Sequence, residues 1–256
     1  MKKQELAYHL HCREGDVGRY CLLPGDPGRV PMLADLLDEP REIAYNREFR
    51  VMTGSLLGRA VTVCSTGIGG PSCAIAVEEL HELGADTFLR VGTCGGIDTS
   101  VMPGDLLIPT GAIRFEHTSR EYAPIEFPAV PDFGVTAALV DAAERNGAPC
   151  HLGVVQCKDS FYGQHRPETM PVGDELLRLW RAWKNLGVKG SEMESAALFV
   201  ISSALGCRAG AILHTVWNQE REASGQDTPP ASDVSRACLV AVDALREIIR
   251  SDERHD

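Results

Sequence analysis

The chain has 256 residues, of which 44% are hydrophobic, and its formal net charge is -11. A chain of this length can bury one sizeable core, so we expect residues 1–256 to form a single domain. The acidic balance argues against binding to nucleic acid or to an acidic membrane surface, because both require a basic patch, and any anionic ligand must be held by a few local arginines.

Short apolar runs rich in β-forming residues alternate with amphipathic segments along the chain. Strands are predicted at residues 20–23, 61–65, 87–91, 106–108, 154–157 and 211–216. Helical periodicity is clearest at residues 71–83, 135–146, 176–186, 194–205 and 234–249. This alternation predicts an α/β fold with a central mixed, mostly parallel sheet flanked by helices. Loops are predicted at 116–131, 161–173 and 219–230, and the last two are long enough to close over a ligand.

The cysteines and the N-terminus indicate a reduced, cytoplasmic compartment. The nine cysteines are scattered, with no C-x-x-C pair and no Cys/His ligand spacing, which favours free thiols. No apolar run follows the initial Met-Lys-Lys, and no stretch approaches the ~20 apolar residues of a membrane span. We therefore expect a cytoplasmic protein that does not enter a membrane.

The segment Pro-Gly-Asp-Pro-Gly-Arg directly follows the first predicted strand. Asp26 before Pro27 is typical of a helix start, and in that interpretation Arg29 is only a solvated side chain. Alternatively, Gly25 lets the backbone approach an anion closely while Arg29 supplies positive charge. The two interpretations are compatible.

An arginine, Arg90, lies inside the apolar strand 87–91, near its carboxyl end. A buried guanidinium is costly unless it is paired, and open α/β sheets bind ligands at the carboxyl ends of their strands. Arg90 is therefore expected either to pair with a buried carboxylate or to bind an anionic ligand, with a hydroxyl from Thr93 nearby.

Ser191 and Glu194 match the S-x-x-E capping box before the apolar segment 195–205. Glu194 is thus predicted to cap that helix. A carboxylate at this position can instead accept hydrogen bonds from the two hydroxyls of a ribose, with Met193 lying against the sugar.

Five segments taken together resemble the uridine phosphorylases of the nucleoside phosphorylase I superfamily. They occur in family order, cover nearly the whole chain, and are residues 24–29, 46–49, 64–72, 88–93 and 192–195. The resemblance implies a nucleoside phosphorylase-like fold and a pentosyltransferase that splits uridine, and 2'-deoxyuridine, into uracil and (deoxy)ribose 1-phosphate in pyrimidine salvage. It implies inorganic phosphate as co-substrate, no organic cofactor, and a homo-oligomer assembled as a hexamer from three dimers.

The resemblance also implies roles for individual residues. Phosphate would be held by Gly25, Arg29, Arg90, Thr93 and, from the neighbouring subunit, Arg47. The ribose would be positioned by Met193, Glu194, Arg90 and the neighbour's His9. The base would contact Phe161, Gln164 and Arg166, and the last two would stabilise the departing uracil. The catalytic residues would be Arg90, Gln164, Arg166 and Glu194. A potassium ion at a dimer interface would be bound by Glu48, Ile68 and Ser72.

Two departures from the family pattern concern the base. Segment 161–166 lacks the proline that usually follows its Phe-Tyr pair, and the late strand ends in Trp217-Asn218 where an arginine is usual. Asn218 falls near the purine-contacting acid of purine-specific relatives. A purine nucleoside phosphorylase and a non-catalytic nucleoside-binding protein are therefore the alternatives, whereas a nucleosidase would not need three arginines around one anion.

Overall fold

Strands and helices alternate in this computed structural model, which describes residues 6–254. The strands are β1 (Tyr20–Pro24), β2 (Asp38–Asn46), β3 (Phe49–Leu56), β4 (Arg59–Cys64), β5 (Thr87–Gly96), β6 (Leu106–Phe115), β7 (Cys150–Lys158), β8 (Gly190–Glu192) and β9 (Arg208–Asn218). The helices are α1 (Val30–Ala34), α2 (Gly70–Glu82), α3 (Phe133–Arg145), α4 (Phe161–His165), α5 (Gly173–Asn185), α6 (Ser195–Ala204), α7 (Gln219–Ala223) and α8 (Ser235–Asp252).

The described strands form one mixed sheet in the order β2-β3-β4-β1-β5-β8-β7-β6-β9. β5 also pairs with β9, so that the last five strands close on themselves. Five of the pairings are parallel and four are antiparallel. The predicted α/β domain with a mixed sheet flanked by helices is confirmed.

β1 shows why the sheet is covered on both faces. Tyr20 and Leu22 belong to the apolar cluster formed with α1, α3 and α8, whereas Cys21 and Leu23 belong to the cluster formed with α2 and α6. Successive side chains of a strand point to opposite faces, so a continuous apolar run requires helices on both sides. Two helical layers therefore enclose the sheet and fix the strand ends that carry the site.

Three strands, β2, β3 and β8, were not predicted from the sequence. β2 carries many charged residues and is largely exposed, because it is an edge strand held by pairing with β3 rather than by burial. β8 is only three residues long. The predicted loops 161–173 and 219–230 contain the short helices α4 and α7.

β5 is longer than the predicted strand 87–91, and this changes the position of Arg90. The strand continues to Gly96 because its second half keeps pairing with β9 and adds β8 after β1 has ended at Pro24. Arg90 therefore lies in the middle of β5, beside the end of β1, rather than near its own strand's end. Across residues 6–254, no helix combines the length and apolarity needed to cross a bilayer.

Candidate active site

A cleft of about 750 Å³ opens where β1 ends. Its walls come from the segments after β1 and β4, the second half of β5, the end of β7, the turn before α6 and the end of β9. The site residues expected from the sequence that line it are Gly25, Arg29, Glu48, Ile68, Arg90, Thr93, Phe161, Gln164, Met193 and Glu194. The structure thus brings together most of the residues that the sequence analysis singled out.

Arg90 is buried at the centre of this cleft and has two carboxylate partners. Its Nε donates to Glu192 at 3.2 Å and its Nη2 donates to Glu194 at 2.5 Å. Its Nη1 has no hydrogen-bond partner within residues 6–254, and a Cβ placed on Gly25 would lie 3.9 Å from that nitrogen. The structure confirms the pairing of Arg90 with buried carboxylates, and its third nitrogen is buried without a partner near the backbone of Gly25.

A glycine makes this arrangement possible. A Cβ on Gly92 would lie 2.7 Å from Nη2 of Arg90, which is closer than any real Cβ contact. The guanidinium therefore folds back over a position that only glycine can fill.

The helix α6 is capped differently from the prediction. The carboxylate of Glu192 accepts hydrogen bonds from the backbone N–H groups of Glu194 and Ser195, at 2.9 Å each. Glu194 makes no capping bond with its side chain, so the S-x-x-E interpretation is wrong. Because Glu192 does the capping, the carboxylate of Glu194 is free to turn into the cleft, where it accepts a 2.5 Å hydrogen bond from the N–H of Gly69.

The charges in the buried cluster oppose one another. Burial works against the charge of Arg90, but Glu194 and Glu192 raise its pKa, so the guanidinium stays ionised. Burial raises the pKa of Glu194, and the charge of Arg90 opposes this effect. A carboxylate with a raised pKa in a cleft is typical of a functional group.

The segment after β1 confirms the predicted helix start. Asp26 accepts a hydrogen bond from the N–H of Gly28 at 2.8 Å, and Pro27 opens a short 3₁₀ turn that leads into α1. A Cβ on Gly25 would lie 3.0 Å from the carbonyl oxygen of Gly67. The half-buried Arg29 lines the cleft near this close approach of Gly25 to Gly67.

The opposite end of the cleft is aromatic. The rings of Phe161 and His165 are 4.3 Å apart, and those of His165 and Trp217 are 5.7 Å apart. A bulge in β9 between the partners of Cys94 and Gly95 brings the consecutive residues Val216 and Trp217 to the same cleft. This aromatic end is suited to a flat, π-bonded ligand group.

Two residues expected at the base do not line the cleft. The exposed guanidinium of Arg166 lies 4.5 Å over the ring of Tyr162. The fully buried Asn218 donates to the backbone oxygens of Asp98 and Val101 at 2.8 and 2.9 Å, while its Oδ1 caps α7. The geometry does not meet the expectation that Asn218 contacts the base, because its side-chain amide makes all of these hydrogen bonds within the protein interior.

His9 and Arg47 lie outside the cleft of their own chain. Arg47 lines a separate pocket of about 360 Å³ together with Tyr8 and Asn46. His9 is held nearby, since its Nδ1 lies 2.6 Å from Glu79 and its carbonyl accepts a hydrogen bond from Asn46. The two residues predicted to serve a neighbouring subunit are therefore located on one side of the molecule.

The three residues of the expected potassium site supply oxygen atoms only. The hydroxyl of Ser72 donates to the carboxylate of Glu48 at 2.9 Å, and Ile68 is 78% exposed. Oxygen donors suit a hard cation, which takes six or more of them including waters, so these residues would supply only part of the shell. Within the described ranges, no group of three or more His, Cys, Asp or Glu side chains is arranged to hold a metal.

The sequence analysis gave no ligand-binding role to four residues that line the cleft, namely Lys158, Ser191, Glu192 and Trp217. Lys158 is a charged residue that ends an apolar strand, which is the signal that had singled out Arg90. Trp217 reaches the cleft through a bulge, which the sequence pattern did not indicate.

The family model of the phosphorylase superfamily matches residues 19–250. The chain belongs to this superfamily. It is 52% identical to a uridine phosphorylase of Treponema pallidum (strain Nichols) over 96% of the chain and 95% of that relative. It is 43% identical to a uridine phosphorylase of Thermococcus kodakarensis, covering 99% and 91%, and 40% identical to a guanosine phosphorylase of Halorubrum lacusprofundi, covering 93% and 97%. Membership of the superfamily agrees with a cleft that has a buried arginine at its centre and an aromatic end.

Proposed function

We propose that this chain is a uridine phosphorylase, a pentosyltransferase that uses inorganic phosphate to convert uridine into uracil and ribose 1-phosphate. The uridine phosphorylases among its relatives support the substrate. The observation that carries the proposal is the unpartnered Nη1 of Arg90, which is buried close to the backbone of Gly25 at the cleft. A buried cationic donor of this kind requires an anion.

Phosphate binds between the end of β1 and the middle of β5. Arg90 donates through Nη1, Arg29 adds a second charge, and Thr93 lies on the same wall of the cleft. The absence of a side chain on Gly25 leaves room for the anion to approach the backbone. This arrangement fixes the attacking oxygen on one face of the sugar.

The ribose lies beside phosphate, against Glu194 and Met193. Glu194 is held by Arg90 and by the N–H of Gly69, so its carboxylate oxygens are oriented before the sugar binds. Their remaining lone pairs accept hydrogen bonds from the ribose hydroxyls. The adjacent negative charge also stabilises the oxocarbenium character that the sugar gains as its bond to the base stretches.

The base stacks at the aromatic end, on Phe161, with Gln164 at its edge. The bond from C1' to the base breaks with both electrons going to the base, while a phosphate oxygen bonds to C1'. Donors placed at the base oxygens are each worth about 3 kcal/mol of transition-state stabilisation. Arg166 would have to leave Tyr162 to act as such a donor.

We also propose that the sites are shared between subunits of a hexamer built from dimers. The support is the common location of His9 and Arg47 on a surface outside the cleft of their own chain. A potassium ion bound by Glu48, Ile68 and Ser72 would join two subunits and takes no part in bond cleavage.

A 6-oxopurine nucleoside is the second candidate substrate, because one relative is a guanosine phosphorylase and the expected arginine of the late strand is replaced by Trp217-Asn218. The test incubates uridine, 2'-deoxyuridine, cytidine, inosine and guanosine with and without phosphate and measures free base and sugar phosphate. We expect phosphate-dependent release of uracil and refusal of cytidine. Free ribose formed at full rate without phosphate, faster cleavage of guanosine than of uridine, or no cleavage at all would each contradict the proposal.

A further inference from the structure

A buried histidine lies beside the phosphate end of the cleft. His214 on β9 is 3% exposed, and the parallel register places it opposite Thr93 of β5. Residues paired in this way point to the same face of a sheet, and their strands are about 4.8 Å apart. Thr93 lines the cleft, so the imidazole lies next to the wall on which phosphate is proposed to bind.

One ring nitrogen of His214 has a partner and the other has none. Its Nε2 lies 3.1 Å from the carbonyl oxygen of Ala231. Because a carbonyl oxygen can only accept, Nε2 carries the proton and Nδ1 of the neutral ring is a bare lone pair. Across residues 6–254, this Nδ1 is buried without a hydrogen-bond partner. The ring therefore keeps one buried position that can take up a proton.

Charged groups next to α1 and in and before α8 act on this ring. Burial lowers the pKa of His214, its hydrogen bond to the backbone and the charge of Asp233 oppose this, and Arg29 and Arg236 lower the pKa further. Cys238 of α8, on which Arg29 and Asp233 also act, stays neutral because burial raises the pKa of its thiol to about 11. On the sheet side, the partner in β6 is the apolar Leu106. The ring is therefore neutral near pH 7 when the cleft is empty.

A dianion in the cleft changes this balance. Phosphate paired with Arg29 offsets the positive charge that acts against protonation of the ring, and it adds negative charge beside Thr93. Both effects favour an imidazolium, because charges separated by protein rather than by water interact over several ångströms. Linkage is reciprocal, so an anion that favours protonation of His214 binds more tightly to the protonated form.

We propose that His214 takes up a proton when a dianion occupies the phosphate end of the cleft, so that anion affinity increases as pH falls. This inference rests on the proposed phosphate site. The proton comes from solvent, adds to Nδ1 and returns to solvent when the anion leaves. His214 does not line the cleft, so it tunes phosphate binding and takes no part in bond cleavage.

The pH range of the effect follows from the direction of the two shifts. Without the anion, the pKa of His214 lies below its usual value, and the bound anion raises it. Between these two pKa values each bound anion brings a proton with it, so affinity increases as pH falls through that range. Above both values the ring is neutral in both states, and below both it is charged in both states, so affinity no longer depends on it.

The test measures sulfate binding by calorimetry at pH 8, 6 and 5, in buffers of different ionisation enthalpy, for the parent and His214→Gln. Sulfate remains a dianion over this range, whereas phosphate itself titrates. Glutamine can keep the hydrogen bond to Ala231 but cannot titrate. Both proteins should bind sulfate equally at pH 8. At pH 5 the parent should bind about three- to tenfold more tightly, and at pH 6 it should take up more protons for each sulfate bound.

Two further variants separate this role from a structural one. His81→Asn is the matched control, because Nδ1 of the half-buried His81 also lies 3.1 Å from a backbone carbonyl, that of Ala85, and His81 does not line the cleft. It should behave like the parent. Asp233→Asn removes an exposed charge that favours the imidazolium and can keep its hydrogen bond from the N–H of Ser235, so it should lower proton uptake without disturbing the fold.

The comparison between proteins isolates His214 from other groups that titrate. Glu194 has a raised pKa and can also take up protons, but it does so in the parent and in His214→Gln alike. Equal proton uptake and equal affinity in these two proteins at every pH would overturn the inference. A loss of affinity in His214→Gln that is the same at pH 8 and pH 5 would also overturn it, since structural damage gives that result. A parent that binds neither sulfate nor phosphate would refute the phosphate site itself, and this inference with it.

Discussion

Replacing Arg90 by methionine tests the centre of the site, because it removes the guanidinium and keeps an apolar side chain. The guanidinium contacts two carboxylates that are themselves almost completely buried. Glu192 would keep its hydrogen bonds from the start of α6, whereas Glu194 would keep only the N–H of Gly69. Removing one partner of a buried ion pair costs about 3 to 5 kcal/mol, so we expect the unfolding midpoint to fall by roughly 6 to 15 °C.

The pH dependence of this loss identifies its cause. Burial already raises the pKa of Glu194, and without Arg90 that pKa rises further above its value in the unfolded chain. A group whose pKa is raised on folding favours the folded state at low pH and loses that contribution as pH rises through the folded pKa. The variant should therefore be less destabilised at pH 5 than at pH 8.

Thermal unfolding with and without phosphate, at both pH values, provides the assay. Phosphate should raise the midpoint of the parent and leave that of Arg90→Met unchanged, because the buried anion donor is lost. The double variant Arg90→Met/Glu194→Gln is the control, and it should regain stability at pH 8 without regaining activity. An Arg90→Met protein as stable as the parent at pH 8, or one stabilised by phosphate to the same extent, would refute the reasoning.

Three further predictions follow from individual contacts. Gly25→Ala should raise KM for phosphate about tenfold with little change in unfolding midpoint, since its methyl group would lie 3.0 Å from a carbonyl oxygen at the anion site; unchanged phosphate kinetics would contradict this. Inactive Arg47→Ala and Glu194→Ala subunits should regain some activity when unfolded and refolded together, and a fully active monomer would exclude shared sites. Burial alone would raise the pKa of Asp98, but its hydrogen bonds, chiefly the one from Lys189, lower it to about 2. Solvent screening limits its contribution to about 1 kcal/mol above pH 4, which is lost as pH falls through 2; the stability difference from Asp98→Asn should vanish in that range, and a constant difference would contradict it.

The sequence predicted the fold and the centre of the site because both depend on residues whose environment is nearly forced. An arginine in an apolar strand must be paired, and Arg90 is paired. A Gly-Asp-Pro-Gly segment after a strand must turn, and it does so with Asp26 as the cap. Apolar runs covered on both faces require helices on both sides of a sheet.

The missed features depend on register, which a single sequence does not show. The E-M-E segment contains two carboxylates two residues apart, and only the close approach of Arg90 and the backbone of α6 decides that Glu192 caps the helix while Glu194 faces the cleft. Similarly, the bulge in β9 rather than the residue type places Trp217 in the cleft and Asn218 in the interior. Side chains one residue apart exchange faces when a bulge is inserted.

The charge balance of the cleft bears on the assembly. The buried cations Arg90 and Lys158 face the buried carboxylates Glu192 and Glu194, so this cluster is close to neutral before any ligand binds. A phosphate dianion then adds two negative charges, and the chain itself contributes only Arg29 as a further arginine on the cleft wall. We propose that a second cation comes from outside the described cleft, because an excess negative charge at a partly buried site is expensive. The arginine proposed to come from a neighbouring subunit would supply that charge, and phosphate affinity would then depend on more than one copy of the chain.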